Sequence, residues 1–194
     1  MTATLPRPET DAEYSARRRA EAEQERTQWE AFRERVSAAG EPETVMIGDP
    51  ARRKPYYSID LLLMDDGWHV RCDYSYGIGG GGGPFGYEAY PTRDDAMTSE
   101  LRHLLDGMAR DVATGRTGAE AYPEAWANWA IDQVPLSLFG GADLAAEYDA
   151  MIAMYRRRNA LRCAAIAAAK DMDGGLSKAT YIDEEGRERP VCSL

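Results

Sequence analysis

Two groups of residues in this 194-residue chain have types and spacings that chemistry uses. The first is glycine. Gly77-x-Gly79-x-x-Gly82, inside "YGIGGGGGPFGY", fits the pattern that turns backbone N–H groups toward a phosphate at a helix start. The context argues otherwise. No Lys-Ser or Lys-Thr follows, the next cation along the chain is Arg93, and "PFGYEAYP" separates Gly82 from any helix. The hairpin before it reads as antiparallel, whereas a dinucleotide fingerprint needs a parallel βαβ unit. Glycine runs also lose much conformational freedom on ordering, which suits a mobile loop better than a preformed cradle. The expectation is a loop, Gly79–Gly83, that orders against a partner. Alanine at Gly80–Gly82 should then leave stability near wild type.

The second group is acidic. Asp60, His69, Arg71, Asp73 and Ser75 alternate onto one face of a hairpin. Paired carboxylates beside a histidine can share a proton or hold a metal. The competing expectation is an ordinary solvated sheet face with Arg71 satisfying the acids. Other chemistry is thinly represented. His69 and His103 are the two histidines, in no HxxxH or HExxH arrangement, and Cys72, Cys163 and Cys192 form no CxxC pair. "DMDGGLSKATYI" departs from a calcium loop at its fifth, sixth and twelfth places. The chain has no Gly-x-Ser-x-Gly elbow. No catalytic residue, metal or cofactor is assigned.

The elements that must position these residues are readable. "DAEYSARRRAEAEQERTQWEAFRERVSAAG" spaces Glu and Arg three and four apart, as on a solvated helix. Trp29, Phe32 and Val36 form a short apolar stripe that should dock on the body. The Arg17–Arg19 run reads as part of the solvated face, since acids interleave it. Gly40 reads as the helix stop, and "GEPETVMIGDPARRKP", residues 40–55, as a loop. "YYSIDLLLMDDGWHVRCDYSYG" reads as a hairpin turning on Asp66-Gly67, with Leu61 opposite Cys72 and Asp60 opposite Asp73. A three-residue loop would pair Asp60 with Cys72 and mix polar with apolar faces.

"PFGYEAYP" supplies a short third strand. Thr92 should cap a helix with Asp94 and Asp95 in its first turn and Met97, Leu101, Leu104, Leu105 and Met108 buried. Pro123 opens a short helix carrying Trp126 and Trp129. A long helix runs from Asp143 to about Asp171 with Arg156–Arg158 on its flank, then a hairpin about Glu185-Gly186 or a tail. The fold class is α+β: an antiparallel three-stranded meander packed with helices. Its parts are a charged N-terminal helix (1–40), a body (41–171) and a C-terminal tail or hairpin (172–194).

The net charge of −10 is uneven, since residues 41–142 hold 8 basic and 16 acidic side chains. An acidic middle disfavours phosphate backbones and favours basic protein partners. The N-terminus lacks the apolar core of a signal peptide, and "ALRCAAIAAA" is too short to span a bilayer. A cytoplasmic setting is the expectation.

Residues 56–105, through "DDGWHV" and "TRDDAMTSEL", resemble the strand-strand-strand-helix of HicB-type antitoxins. The glycine run stands where that family has a short Pro-Asp-Leu-Pro-Gly-like connection. "CDYSYGIGGGGGP" followed by "YPTRDDAM" is similar to small proteins encoded on phages and plasmids. These resemblances imply mobile-element biology. The expected role is a non-enzymatic inhibitor or modulator of host nucleic-acid machinery, of the anti-defence kind. A HicB-like regulator and a small phosphate-handling enzyme are the alternatives. The expected partner surface is Tyr76, Gly79, Gly80, Gly81, Gly82, Gly83 and Phe85 with Asp65, Asp66, Asp94 and Asp95. The N-terminal helix is a candidate for pairing with a second copy.

Overall fold

The computed structural model describes residues 10–52, 54–133, 143–169, 180–183 and 186–190. The first helix, α1 (Asp11–Ala38), opens with a capping box: Thr10 accepts from the Glu13 amide, and Glu13 reaches back to Thr10. Its first two-thirds are solvated, with ion pairs such as Arg17–Glu21 at 2.7 Å. Phe32 is the residue it buries. The apolar stripe read from the sequence is the docking edge.

A sheet follows in which β1 (Glu43–Gly48), β2 (Tyr56–Met64), β3 (Gly67–Tyr76) and β4 (Gly79–Gly82) lie side by side in chain order, all antiparallel. Three departures from the expected meander stand out. Residues 43–48 form a strand rather than a loop, with Val45 and Ile47 alternating toward the core. The glycine run is also a strand. "PFGYEAYP" is not regular, although Trp68 and Tyr90 exchange backbone hydrogen bonds of 2.9 and 2.8 Å, so it tracks the edge of β3.

The β2–β3 hairpin turns through two residues, but they are Asp65 and Asp66, one position before the expected pair. Leu61 therefore faces Val70, and Asp60 faces Arg71. The shift displaces every pair by two, so the faces keep their residues. Directly opposed like charges destabilise a sheet and opposite charges support it, which favours Arg71 over Asp73 as the partner of Asp60. Gly67 has φ +137°, and a side chain there would meet the Tyr90 carbonyl at 2.7 Å. That glycine serves a close backbone approach instead of the turn itself.

After Thr92, whose hydroxyl accepts from the Asp95 amide, α2 (Arg93–Thr114) buries the stripe Met97, Leu101, Leu104, Leu105 and Met108. Helices α3 (Ala125–Gln133) and α4 (Leu144–Ala169) pack against α2. A small hairpin, β5 (Thr180–Ile182) with β6 (Glu188–Pro190), contacts α4. Its expected turn residue Glu185, like Asp171 and Cys192, lies outside the described residues.

Consecutive strand residues point to opposite faces, and β2 uses both. Tyr57, Ile59 and Leu61 join α2 and α3 in the main core. Leu62 and Met64 join Phe32 and Phe85 beneath α1. The sheet is thus covered by α2 and α3 over the core residues on one side and by α1 at its turn end on the other. Among the described residues no helix is long and apolar enough to cross a membrane.

Candidate interaction surface

Each glycine of β4 meets something from β3. A Cβ on Gly79 would lie 2.6 Å from Cζ of Tyr76, and one on Gly81 2.8 Å from the Tyr74 hydroxyl. On the opposite face, a Cβ on Gly82 would lie 2.6 Å from an Asp73 carboxylate oxygen, and one on Gly80 3.0 Å from the Tyr74 carbonyl. The tyrosine rings occupy the space that side chains at Gly79 and Gly81 would need. At Gly79 and Gly81 glycine suits rings lying over the strand, an arrangement known to rescue edge glycines, while Gly80 is held close by a backbone carbonyl. The expectation that alanine is tolerated across Gly80–Gly82 is therefore corrected at Gly81, beside the stacked Tyr74 ring, and Gly80 is tight against backbone. None of these four glycines has positive φ. An extended strand sends successive N–H groups to alternate edges, so the run forms no converging nest of the phosphate-binding kind.

The rings have a backing. Tyr57 and Tyr74 stack at 5.5 Å, Tyr74 and Tyr76 at 6.1 Å, and Tyr122 closes on Tyr76 at 4.4 Å. Trp126 of α3 meets Tyr57, Tyr76 and Tyr122. The Tyr57 hydroxyl donates to Glu100 at 2.6 Å. Burial, with Glu100 beside it, holds that phenol far above its usual range. The same two causes push the Cys72 thiol up to about 12. This aromatic support was legible only in part: Tyr74-x-Tyr76 followed by an unbroken glycine run is its signature.

The outer side of β4 carries no strand among the described residues. Gly80, Gly81, Gly82 and Gly83 are exposed, and Ile78 at the turn is 80% exposed. Ile78 was not singled out from the sequence.

The other expected contact residues are placed elsewhere. Phe85 is buried under α1, with Arg71 over its ring at 4.8 Å. Asp65 and Asp66 both pair with Arg35 of α1, at 2.5 and 2.6 Å. Asp66 also lies 3.0 Å from Nε2 of His69, whose Nδ1 lies 3.0 Å from the Gly86 carbonyl oxygen. Arg35 and then His69 hold the Asp66 carboxyl well below its ordinary value. His69 is wholly buried against Phe32, a clamp residue between helix and hairpin.

Asp94 and Asp95 sit at the start of α2, where Asp95 accepts from the Thr92 hydroxyl at 2.7 Å and Asp94 pairs with Arg93. Asp65 and Asp66 are separated from Gly79 by the length of β3, roughly 30 Å at strand rise. The structure brings Tyr76 and Gly79–Gly82 together and sets the four acids apart from them.

Asp60 and Asp73 do not form a dyad. Asp60 accepts from Thr44 at 2.6 Å and Arg71 at 2.8 Å, while Asp73 accepts from the Tyr56 hydroxyl at 2.9 Å. Among the described residues no group of three or more His, Cys, Asp and Glu side chains is arranged to hold a metal.

Neither protein-family models, nor curated protein sequences, nor solved structures give a match to this chain. The surface must be read on its own chemistry.

Proposed function

We propose that this protein works by binding another protein, and that the binding element is the outer edge of β4. The observation that carries this is an exposed edge strand, Gly79–Gly82, built of bare backbone. Natural sheets protect their edges with charges, proline or bulges, because an open ladder invites another strand. This edge has none of these within its four residues. Its main-chain groups are held in place by Tyr74 and Tyr76 from the inner side. Such an edge suits addition of an extended segment, in which main-chain hydrogen bonds supply affinity. Exposed Ile78 adds an apolar contact at one end.

The partner is a basic protein. A net charge of −10 repels nucleic acid directly and attracts surfaces evolved to hold it. This supports the inhibitor reading, in which the chain occupies a nucleic-acid enzyme. Binding of this kind weakens with salt, since exposed charges are screened.

The test is amide hydrogen exchange on the free protein and on its complex with a partner captured from host lysate. Exchange at Gly79–Gly83 should slow in the complex, while β1, the other edge, stays unchanged. Protection confined to α1 or to the acids at Asp65, Asp66, Asp94 and Asp95 would overturn the proposal.

A further inference from the structure

A cavity of about 670 Å³ opens between the C-terminal end of α2, the loop after it, and helices α3 and α4. That is within the range of about 300–1,000 Å³ usual for small-molecule sites. Its apolar wall includes Met108, Val112 and Ala127, and Tyr122 and Tyr148 add aromatic surface. Asp111, 6% exposed, reaches it from α2, and Glu124 stands at its exposed side.

The Asp111 carboxylate is half satisfied. Oδ2 accepts from the Tyr122 amide at 3.1 Å. Oδ1 is ion-paired with Arg116 at 3.6 Å but takes no hydrogen bond from it, and Arg116 is itself largely exposed. Among the described residues every fully enclosed side-chain nitrogen or oxygen has a hydrogen-bond partner, so this oxygen, which has no hydrogen bond, is one that solvent space reaches. A nearly buried carboxylate with an open acceptor is a costly feature to maintain without use. Around the Tyr148 side of the cavity the charges are acidic, with Arg116 the cation on the Asp111 side. Burial and then Glu124, Asp149 and Asp111 raise the Tyr148 hydroxyl above its usual value.

We propose that this cavity binds a small organic cation, an ammonium or guanidinium head on an apolar body, with the head on Asp111 Oδ1. Glu124 adds a second negative charge, and the faces of Tyr122 and Tyr148 suit a cation as they do in other aromatic-lined sites. The apolar wall takes the body of the ligand. The site adjoins the β4 support through Tyr122, which also packs on Tyr76, but its charged groups lie away from the β4 edge and it rests on different observations.

Isothermal titration with phenethylamine, putrescine and agmatine tests this, with 2-phenylethanol as the uncharged control. At least one amine should bind with Kd below about 1 mM, and the alcohol about tenfold more weakly than phenethylamine or not at all. Asp111→Asn keeps an acceptor for the Tyr122 amide but lacks the charge, and should weaken amine binding about tenfold. Should that variant not fold, Glu124→Gln, altered at an exposed position, should weaken binding at least about threefold. Amide shifts on titration should centre on Tyr122, Asn128 and Tyr148. The proposal is overturned if no amine binds, if the alcohol binds as well as phenethylamine, or if the folded variants bind like wild type.

Discussion

Tyr74 and Gly81 face each other across β3 and β4, and a methyl group on Gly81 would lie 2.8 Å from the Tyr74 hydroxyl and 3.0 Å from its Cζ. Tyr74 cannot simply swing aside, because it is stacked between Tyr57 and Tyr76 and touched by Tyr122. Gly81→Ala should therefore destabilise the protein by about 1–3 kcal/mol, the usual range for overpacking. Gly83 has open space around it and no positive φ. Gly83→Ala should be neutral or stabilise by up to about 1 kcal/mol, through the unfolded chain. Urea denaturation of both variants decides the matter; equal stabilities would mean that β4 is not packed under its tyrosines.

Docking of α1 centres on one buried ring, flanked by Trp29 and Val36. Phe32 is 4% exposed and meets Leu62, Met64 and Phe85. Phe32→Ala should weaken this docking by about 3 kcal/mol or more. Proteolysis should then cut within Asp11–Ala38 while the sheet remains resistant, since local opening exposes the helix first. Leu161→Ala, at a residue 40% exposed on α4, should leave the same sites protected.

The clamp of Arg35 on Asp65 and Asp66 gives acid sensitivity. The Asp66 carboxyl is held below its unfolded value, which is about 3.9. Its contribution is fully present above that pH and is lost as pH falls below it, because the unfolded chain takes up a proton that the folded one resists. Stability of the α1 contact, followed through Trp29 fluorescence, should be flat from neutral pH to about 4 and fall beneath it. Asp66→Asn should flatten the acid limb. An unchanged limb would assign it to other carboxylates.

Cysteine reactivity should divide by burial. Thiolate is the reactive form, and Cys72, pushed up to about 12 by burial and Glu100, stays a thiol at neutral pH. Cys163 is exposed on α4. Iodoacetamide on the native protein should modify Cys163 well before Cys72, with both modified in urea. Peptide mass spectrometry reads the order. Early labelling of Cys72 would contradict its packing beside Tyr57.

Much of the fold was legible in the sequence by itself, for local reasons. The capping residues Thr10 and Thr92 are followed by acids at helix starts, and the stripes Trp29–Phe32–Val36 and Met97–Leu101–Leu104–Leu105–Met108 repeat at helical spacing. Alternation in "YYSIDLLLM" and "WHVRCDYSY" fixed which side chains share a face. These signals depend on neighbours a few residues apart, which the sequence displays directly.

Tertiary structure decided what parity alone leaves open. A shift of two residues keeps every face, so the choice between Asp66-Gly67 and Asp65-Asp66 turned on partners far along the chain: Arg35 for the turn acids, Arg71 for Asp60, and the Tyr90 carbonyl against Gly67. Glycine carries no side chain to show a period, so a run of it has no strand or loop signature. Its role as β4 exists only because Tyr74 and Tyr76 stand beside it and α3 holds them there. The half-satisfied Asp111 of α2 was equally hidden, since Tyr122 and Glu124 from the segment before α3 and Tyr148 from α4 converge on its cavity. Local order was written in spacing; the two candidate surfaces arise from contacts that spacing does not encode.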